Sequence, residues 1–249
     1  MISIARINTT PVKGLGLQHP AEVLLTHAGV ETDRRFYLRS RGRLYSVKDF
    51  GALVAVSPVF AADQLTLSFP SGERVSGPVN LGAAVETIFW GRPVRGRVVE
   101  GPWADALTAY TGSPLTLIQT EQPGTGIDIA VGTLVGRASC VRLGAELGTE
   151  IDPRCFRMLV ELDGLSAHAE DDWTGSRLAL GQAIVVVGGP VPRCVVTTQD
   201  PDSGQVRFDT LRALRRYRAL RDGRYVDFGV YFSVEQPGLV RVGDPVRLL

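Results

Sequence analysis

Pro192-Arg193-Cys194-Val195-Val196-Thr197-Thr198-Gln199-Asp200-Pro201-Asp202-Ser203-Gly204 puts a thiol beside an arginine, at the head of a short β-branched run that ends in a turn. Val195 to Thr198 reads as a strand, and Asp-Pro-Asp-Ser-Gly is turn chemistry that stops it. Gly188-Gly189-Pro190-Val191-Pro192, just upstream, argues against regular structure and places Cys194 where a loop becomes a strand. A lone cysteine beside an apolar run is ordinarily a small core residue. An adjacent arginine, however, favours the thiolate, the form that attacks electrophiles and binds soft metals.

The rest of the chain sets the frame for that thiol. At 249 residues it is long enough for one large domain or two small ones, and 44% hydrophobic with 21% charged residues suits a globular protein. A net charge of +1 provides no long-range field for nucleic acid or an acidic membrane. Three cysteines do not make a disulfide framework. Met1 to Arg6 lacks a signal-peptide pattern, and no apolar run approaches the ~20 residues that span a bilayer. The expected setting is reducing and cytoplasmic. Lys13 and Lys48 are the only lysines, so 25 of the 27 cationic residues are arginines, planar forks suited to phosphate and carboxylate.

Along the chain, Ile2–Ile7, Glu22–Thr26, Asp33–Arg39, Val54–Val56, Gln64–Phe69, Glu86–Trp90 and Val94–Val99 read as strands. Gly and Pro punctuate them at strand-plus-turn spacing, as in a barrel or sandwich. Pro102–Tyr110 is the first helix signal, with Gly112 after its end. Leu115–Gln119 is a strand, Ser139–Leu147 a helix, and Phe156–Leu162 and Ala183–Val187 are buried strands. Asp209 caps a helix running to about Arg221 whose apolar stripe is Leu211, Leu214 and Tyr217, with arginines on the solvated face. Phe228–Glu235 and Pro245–Leu249 close the chain as strands, joined by a Pro237-Gly238 turn. The expectation is a mostly β, α+β protein with few helices.

Familiar catalytic signatures are missing. The three histidines, His19, His27 and His168, do not pair at metal-ligand spacing. There is no Gly-x-Ser-x-Gly elbow, P-loop or dinucleotide fingerprint. Glu170-Asp171-Asp172 reads as a solvated loop or helix start. What remains is a set of cations near turns: Lys13, Arg34, Arg35, Arg157 and Arg193, together with Cys194. Lys13 is followed by Gly14 and Gly16, where backbone N–H groups can face an anion. Arg157 at the start of a buried strand must find a partner for its charge. Brought together, these groups suit a phosphorylated ligand with a soft, thiolate-seeking centre.

An ordered set of segments carries a resemblance. Pro11-Val12-Lys13-Gly14-Leu15, Asp33-Arg34-Arg35-Phe36, Phe156-Arg157, Glu170-Asp171-Asp172-Trp173, Arg193 to Pro201, Leu214 to Arg218, Phe228-Gly229-Val230-Tyr231 and Pro237 to Val246 together resemble a MOSC protein, the family named for the C-terminal part of molybdenum cofactor sulfurase. The first half is similar to the β-barrel domain preceding MOSC in two-domain members. The resemblance implies two β-barrel-like units with peripheral helices, an N-terminal unit over 1–100 and a MOSC unit over 101–249, with the molybdenum cofactor (molybdopterin) in the cleft between them. It implies Cys194 as the molybdenum ligand and Lys13 and Arg34 as phosphate holders, with Gly14 and Arg193 beside them. Arg157 would be a cofactor contact and Asp128 an acid near the metal. The chain departs from the amidoxime-reducing members at Leu159, where they carry Asn, and at Pro192, where they carry Ser.

The activity so implied is a molybdenum-dependent oxidoreductase that reduces N-hydroxylated or other N–O or S–O substrates. Electrons would come from a separate donor protein, since the sequence has no flavin, haem or iron–sulfur signature. Its partners are then a small-molecule substrate and that donor, with no nucleic acid and no membrane. The alternatives are a cofactor carrier or sulfur-transfer module with a persulfide on Cys194 and Cys155 as a second thiol, and a MOSC scaffold without cofactor.

Overall fold

The computed structural model describes residues 1–249 and is mostly β, with three α-helices. The larger sheet has seven strands, in the order Ser3–Ile7, Val160–Asp163, Gly132–Gly136, Asp227–Gln236, Ala183–Pro192, Arg177–Leu180, Val246–Leu248. Its two edges meet: Ile4 N–H donates to the Asp244 carbonyl at 3.0 Å, Gly243 N–H to Ile4 at 2.8 Å and Val246 N–H to Ile2 at 3.0 Å. Pairing edge to edge rolls the sheet into a nearly closed barrel and removes the open edges an isolated sheet would present. Inward alternation fills it with Ile4, Leu134, Val160, Leu162, Leu178, Val185, Val230 and Phe232, all essentially without solvent contact.

The second, half-barrel sheet runs Arg43–Tyr45, Phe36–Ser40, Thr116–Thr120, Arg92–Glu100, Asn80–Phe89, with Ser57–Ala61, Gln64–Ser68 and Arg74–Pro78 as a separate meander beside it. Its core gathers Val12, Leu15, Phe36, Leu53, Leu67 and Trp103. The two sheets exchange chain across residue 100. The first strand completes the C-terminal barrel, while Thr116–Thr120 sits in the middle of the N-terminal sheet. Of the helices, Arg137–Leu147 and Thr210–Tyr217 pack on the outside of the barrel around Leu143, Leu214 and Phe228.

Several local expectations are corrected. Val195–Thr198 is a 3₁₀ turn, not a strand. The Thr197 hydroxyl donates to Cys194 O at 3.1 Å and the Thr198 hydroxyl to Val195 O at 2.7 Å, so local side-chain bonds outcompete a ladder. Conversely, Gly188–Pro192 does not break the Ala183–Pro192 strand. Beyond Val187, whose N–H still donates to Ser176 O at 2.9 Å, that strand keeps only the Asp227–Gln236 strand as a ladder partner, with register shifts that absorb the glycines and prolines. Proline is tolerated there because its missing N–H faces no partner. Val54–Val56 lies at the end of the 3₁₀ turn Gly51–Ala55, and the third strand begins at Phe36 rather than Asp33.

Phe156 ends a 3₁₀ turn capped by Asp152, and the strand expected from there starts at Val160. The last helix stops at Tyr217, where Arg218 is drawn into an ion pair with Asp171. Its buried side consists of Thr210, Ala213 and Leu214, with Leu211 and Tyr217 half-buried. Gly238 opens a strand, Gly238–Arg241, instead of closing a turn. Glu170 is fully buried, accepting from Gly136 N–H at 3.1 Å and the Ser139 hydroxyl at 2.8 Å, so the acidic triplet is not simply a solvated loop.

Candidate functional site

The seam between the two sheets opens into a cleft of about 420 Å³. Lys13, Gly14, Arg34 and Asp128 reach it from one side, and Arg157, Arg193 and Cys194 from the other. Seven of the eight residues singled out from the sequence meet there. Arg35 does not: its guanidinium is spent on the carbonyl and hydroxyl of Thr120.

Lys13 and Arg34 are neighbours because their segments are zipped together. Asp33, buried, accepts from Thr10 N–H at 2.8 Å, Arg34 N–H donates to Thr10 O at 2.6 Å, and Lys13 N–H donates to Phe36 O at 2.8 Å. Gly14 turns the chain with φ 92°, a value that favours glycine. The Lys13 ammonium donates to Gly126 O at 3.0 Å and lies 2.6 Å from an Asp128 oxygen. Burial lowers the Lys13 pKa, opposed by Asp128. Burial works against the Asp128 carboxylate too, but Lys13, a hydrogen bond from Trp90 and Arg34 hold it below its ordinary value. Gly126 has to be glycine, since a Cβ would stand 2.0 Å from the Arg34 carbonyl.

Arg157 occupies the left-handed region at φ 51° after its 3₁₀ turn. That conformation turns its side chain back, and Nη2 donates to Leu15 O at 2.6 Å. Burial, then the nearby Arg34 charge, pulls its pKa down to about 9, so it stays cationic at neutral pH. Arg193 is used differently from the expectation. Instead of turning its fork to the thiol, it donates to Phe228 O at 2.8 Å and Phe156 O at 3.2 Å, fixing the end of its strand against the Phe156–Arg157 turn. Burial lowers its pKa to about 10.

Cys194 is the only exposed cysteine; Cys140 and Cys155 are buried. It begins the 3₁₀ turn Val195–Thr198, whose far end is anchored by Gln199 donating to Val47 O at 3.0 Å. The turn that follows rests on Gly51, so the thiol is located by contacts from both halves of the chain. Leu159, also on the cleft wall, is packed into the barrel core with its N–H on the Thr133 hydroxyl.

The charges around the cleft do not balance. Lys13, Arg34, Lys48, Arg157 and Arg193 face only Asp33 and Asp128, an excess of three positive charges. Cations in such excess suit an anion, and arginine forks match phosphate oxygens. Asp33, Lys48, Trp90 and Tyr225 are cleft residues that the sequence did not single out. Asp33 lies inside the quoted Asp33-Arg34-Arg35-Phe36 segment and Trp90-Gly91 at the tip between two alternating runs, but neither pattern by itself marks a role.

A MOSC domain model matches residues 125–247, and a MOSC N-terminal beta barrel domain model matches residues 1–113. This chain belongs to the MOSC family. Mitochondrial amidoxime-reducing component 1 of Homo sapiens is 26% identical over 99% of this MOSC chain and 83% of the relative. Mitochondrial amidoxime reducing component 2 of Rattus norvegicus is 26% identical over 98% of the chain and 82% of the relative. Among solved structures, the YUAD protein of Bacillus subtilis superposes with a TM-score of 0.50 at 13% identity, covering 99% of this chain and 94% of that one, a likeness of fold. Within the MOSC fold the cleft at the sheet seam holds a soft donor and an anion cradle together, the donor set that a molybdenum cofactor with a phosphate requires.

Proposed function

We propose that this chain is a molybdenum-cofactor-binding oxidoreductase that reduces N-hydroxylated or related N–O and S–O compounds, with electrons delivered by a separate donor protein. The observation that carries the reading is the exposed Cys194 thiol sharing one cleft with Lys13, Arg34 and Arg157. When bound, the cofactor supplies the two-electron removal of oxygen from the substrate. The chain's own residues do the rest. Cys194 offers a thiolate for the metal, and Lys13, Arg34 and Arg157 offer donors to the cofactor phosphate. Gly14 lets the backbone approach the phosphate closely. Arg193 holds the Cys194 strand end in place through the Phe156 and Phe228 carbonyls. Asp128, kept ionised by Lys13, would accept a hydrogen bond from a substrate N–H at the cleft wall. Three free cysteines suit the reducing, cytoplasmic compartment that we propose for it.

A persulfide relay is less well supported. Burial pushes the Cys155 thiol up to about 12, which removes the nucleophile such a relay needs. The test is elemental analysis of protein made in a molybdenum-replete host, with Cys194→Ser alongside, followed by turnover of an N-hydroxylated compound with a reductant. Molybdenum near one per chain in the wild type, with metal and turnover both lost in Cys194→Ser, is the expected result. Wild-type protein that takes up no molybdopterin overturns the reading.

A further inference from the structure

The cleft has a rim that its anion cradle does not explain. Trp90 sits at the tip of the hairpin joining Asn80–Phe89 to Arg92–Glu100, with Trp90 at φ 51° and Gly91 at φ 85°. Positive φ at both residues of a two-residue turn favours Asn, Asp or Gly, and a bulky aromatic there is a backbone outlier. Such outliers persist where the surroundings over-determine them, and these do. Trp90 Nε1 donates to Asp128 Oδ1 at 2.9 Å, while Arg92 Nη2 donates to Thr125 O at 3.0 Å and Ile127 O at 2.7 Å. The hairpin tip is thereby pinned to the loop bearing Asp128, and the indole is held over the cleft.

Trp90 is 61% exposed all the same, unlike the buried Trp103 and Trp173. Lys48 lies over it, its ammonium 4.2 Å from the ring centroid, and makes no ion pair. Ile129, 69% exposed, belongs to the same rim. An indole held rigidly at a mouth, with an unneutralised cation on it and an apolar side chain nearby, is a recognition surface for a flat ring bearing a negative charge.

We propose that Trp90 and Lys48 form a substrate subsite for planar aromatic compounds carrying a carboxylate, the ring stacking on Trp90 and the carboxylate meeting Lys48. The subsite names a substrate class for the proposed reductase and rests on that reading for turnover, not for binding. Titration calorimetry on the purified full chain with 4-carboxybenzamidoxime, benzamidoxime and acetamidoxime tests it. Affinity should fall in that order. Trp90→Ala should weaken both aryl compounds about tenfold and leave acetamidoxime unchanged. Trp90→Phe, which keeps a ring but loses the bond to Asp128, should retain most of the aryl affinity and thereby separates stacking from loop positioning. Lys48→Met should weaken only the carboxylate compound, about fivefold. Equal affinity for the aryl and alkyl compounds, or unchanged aryl affinity in Trp90→Ala, overturns the proposal. Binding in the expected order without turnover would instead count against the reductase reading and leave the subsite standing.

Discussion

Arg34 and Arg157 meet across the seam with both backbones in the left-handed region at φ 51°, and Arg34 Nη2 donates to the main-chain oxygen of Arg157 at 3.1 Å. Two strained, non-glycine positions thus converge on one point, each bringing a guanidinium. Asp33 is the only carboxylate paired with them. Backbone strain and like-charge proximity both cost stability in the free protein, and an anion between the forks relieves the second.

Phosphate should therefore stabilise the fold. At ten times its dissociation constant, a ligand bound only to the native state adds about 1.4 kcal/mol, which is roughly 3–6 °C in melting temperature for a chain of this size. Arg157→Gln should abolish that shift, whereas Arg215→Gln, on the exposed face of the last helix, should keep it. A phosphate-independent melting temperature in the wild type would remove the anion cradle.

The thiols make a second, simpler test. Burial pushes the Cys155 thiol up to about 12 and that of Cys140 higher still, and only Cys194 is open to solvent. A thiol reagent at pH 8 should consume one equivalent quickly in native protein and three after denaturation, and Cys194→Ser should eliminate the fast phase. A second fast equivalent would mean that Cys155 is reachable through the cleft wall.

How far the sequence foretold this arrangement depends on the range of the interaction. Strands with clear alternation, such as Gln64–Ser68 and Asp227–Gln236, are visible in the pattern of their own residues. So is the Asp209 cap, which accepts from Arg212 N–H. The errors fall where a few local bonds or a missing neighbour decide. Thr197 and Thr198 bend their segment by bonding to their own backbone. Pro190 and Pro192 are harmless because nothing pairs with that side of their strand, a fact of topology that residues 188–192 cannot reveal. The cations of the site were legible as types near turns. Asp33, Lys48 and Trp90 were not, because their roles arise only when residues 10, 128 and 157 fold against them.

Gly51 and Gly204 carry another part of the site's geometry. A Cβ on residue 204 would lie 2.0 Å from the Gly51 oxygen, and Gly204 is itself left-handed at φ 71°. This contact seats the turn after Cys194 on the N-terminal half. Gly204→Ala combines a left-handed penalty with backbone overlap, so it should cost about 2–4 kcal/mol in chemical denaturation. Gly223→Ala is the control: it shares the left-handed backbone, at φ 68°, but has nothing within 4 Å of the new methyl, and should cost about 1 kcal/mol. Similar losses in the two variants would mean that the close approach of the two turns carries no weight.

His168 predicts how the fold responds to acid. Burial, then the Arg218 guanidinium bonded to its ring, lowers its pKa from 6.5 to about 4. The unfolded chain therefore takes up a proton near 6.5 that the folded chain refuses until about 4, and stability falls as pH drops through that window. At pH 7 and above the ring is neutral in both states, and the contribution is flat. The shift corresponds to at most about 3 kcal/mol by pH 4. Glu170 works in the opposite direction, because burial raises its pKa and favours its protonated form in the folded chain. The measurement is accordingly a difference: stability of the wild type minus that of His168→Asn, a residue that tolerates the left-handed φ of 65° at this position, taken from pH 7.5 to 4. That difference should shrink steadily below pH 6.5. A difference independent of pH would show that the ring takes up its proton equally in the folded and unfolded chains, so that neither burial nor Arg218 acts on it.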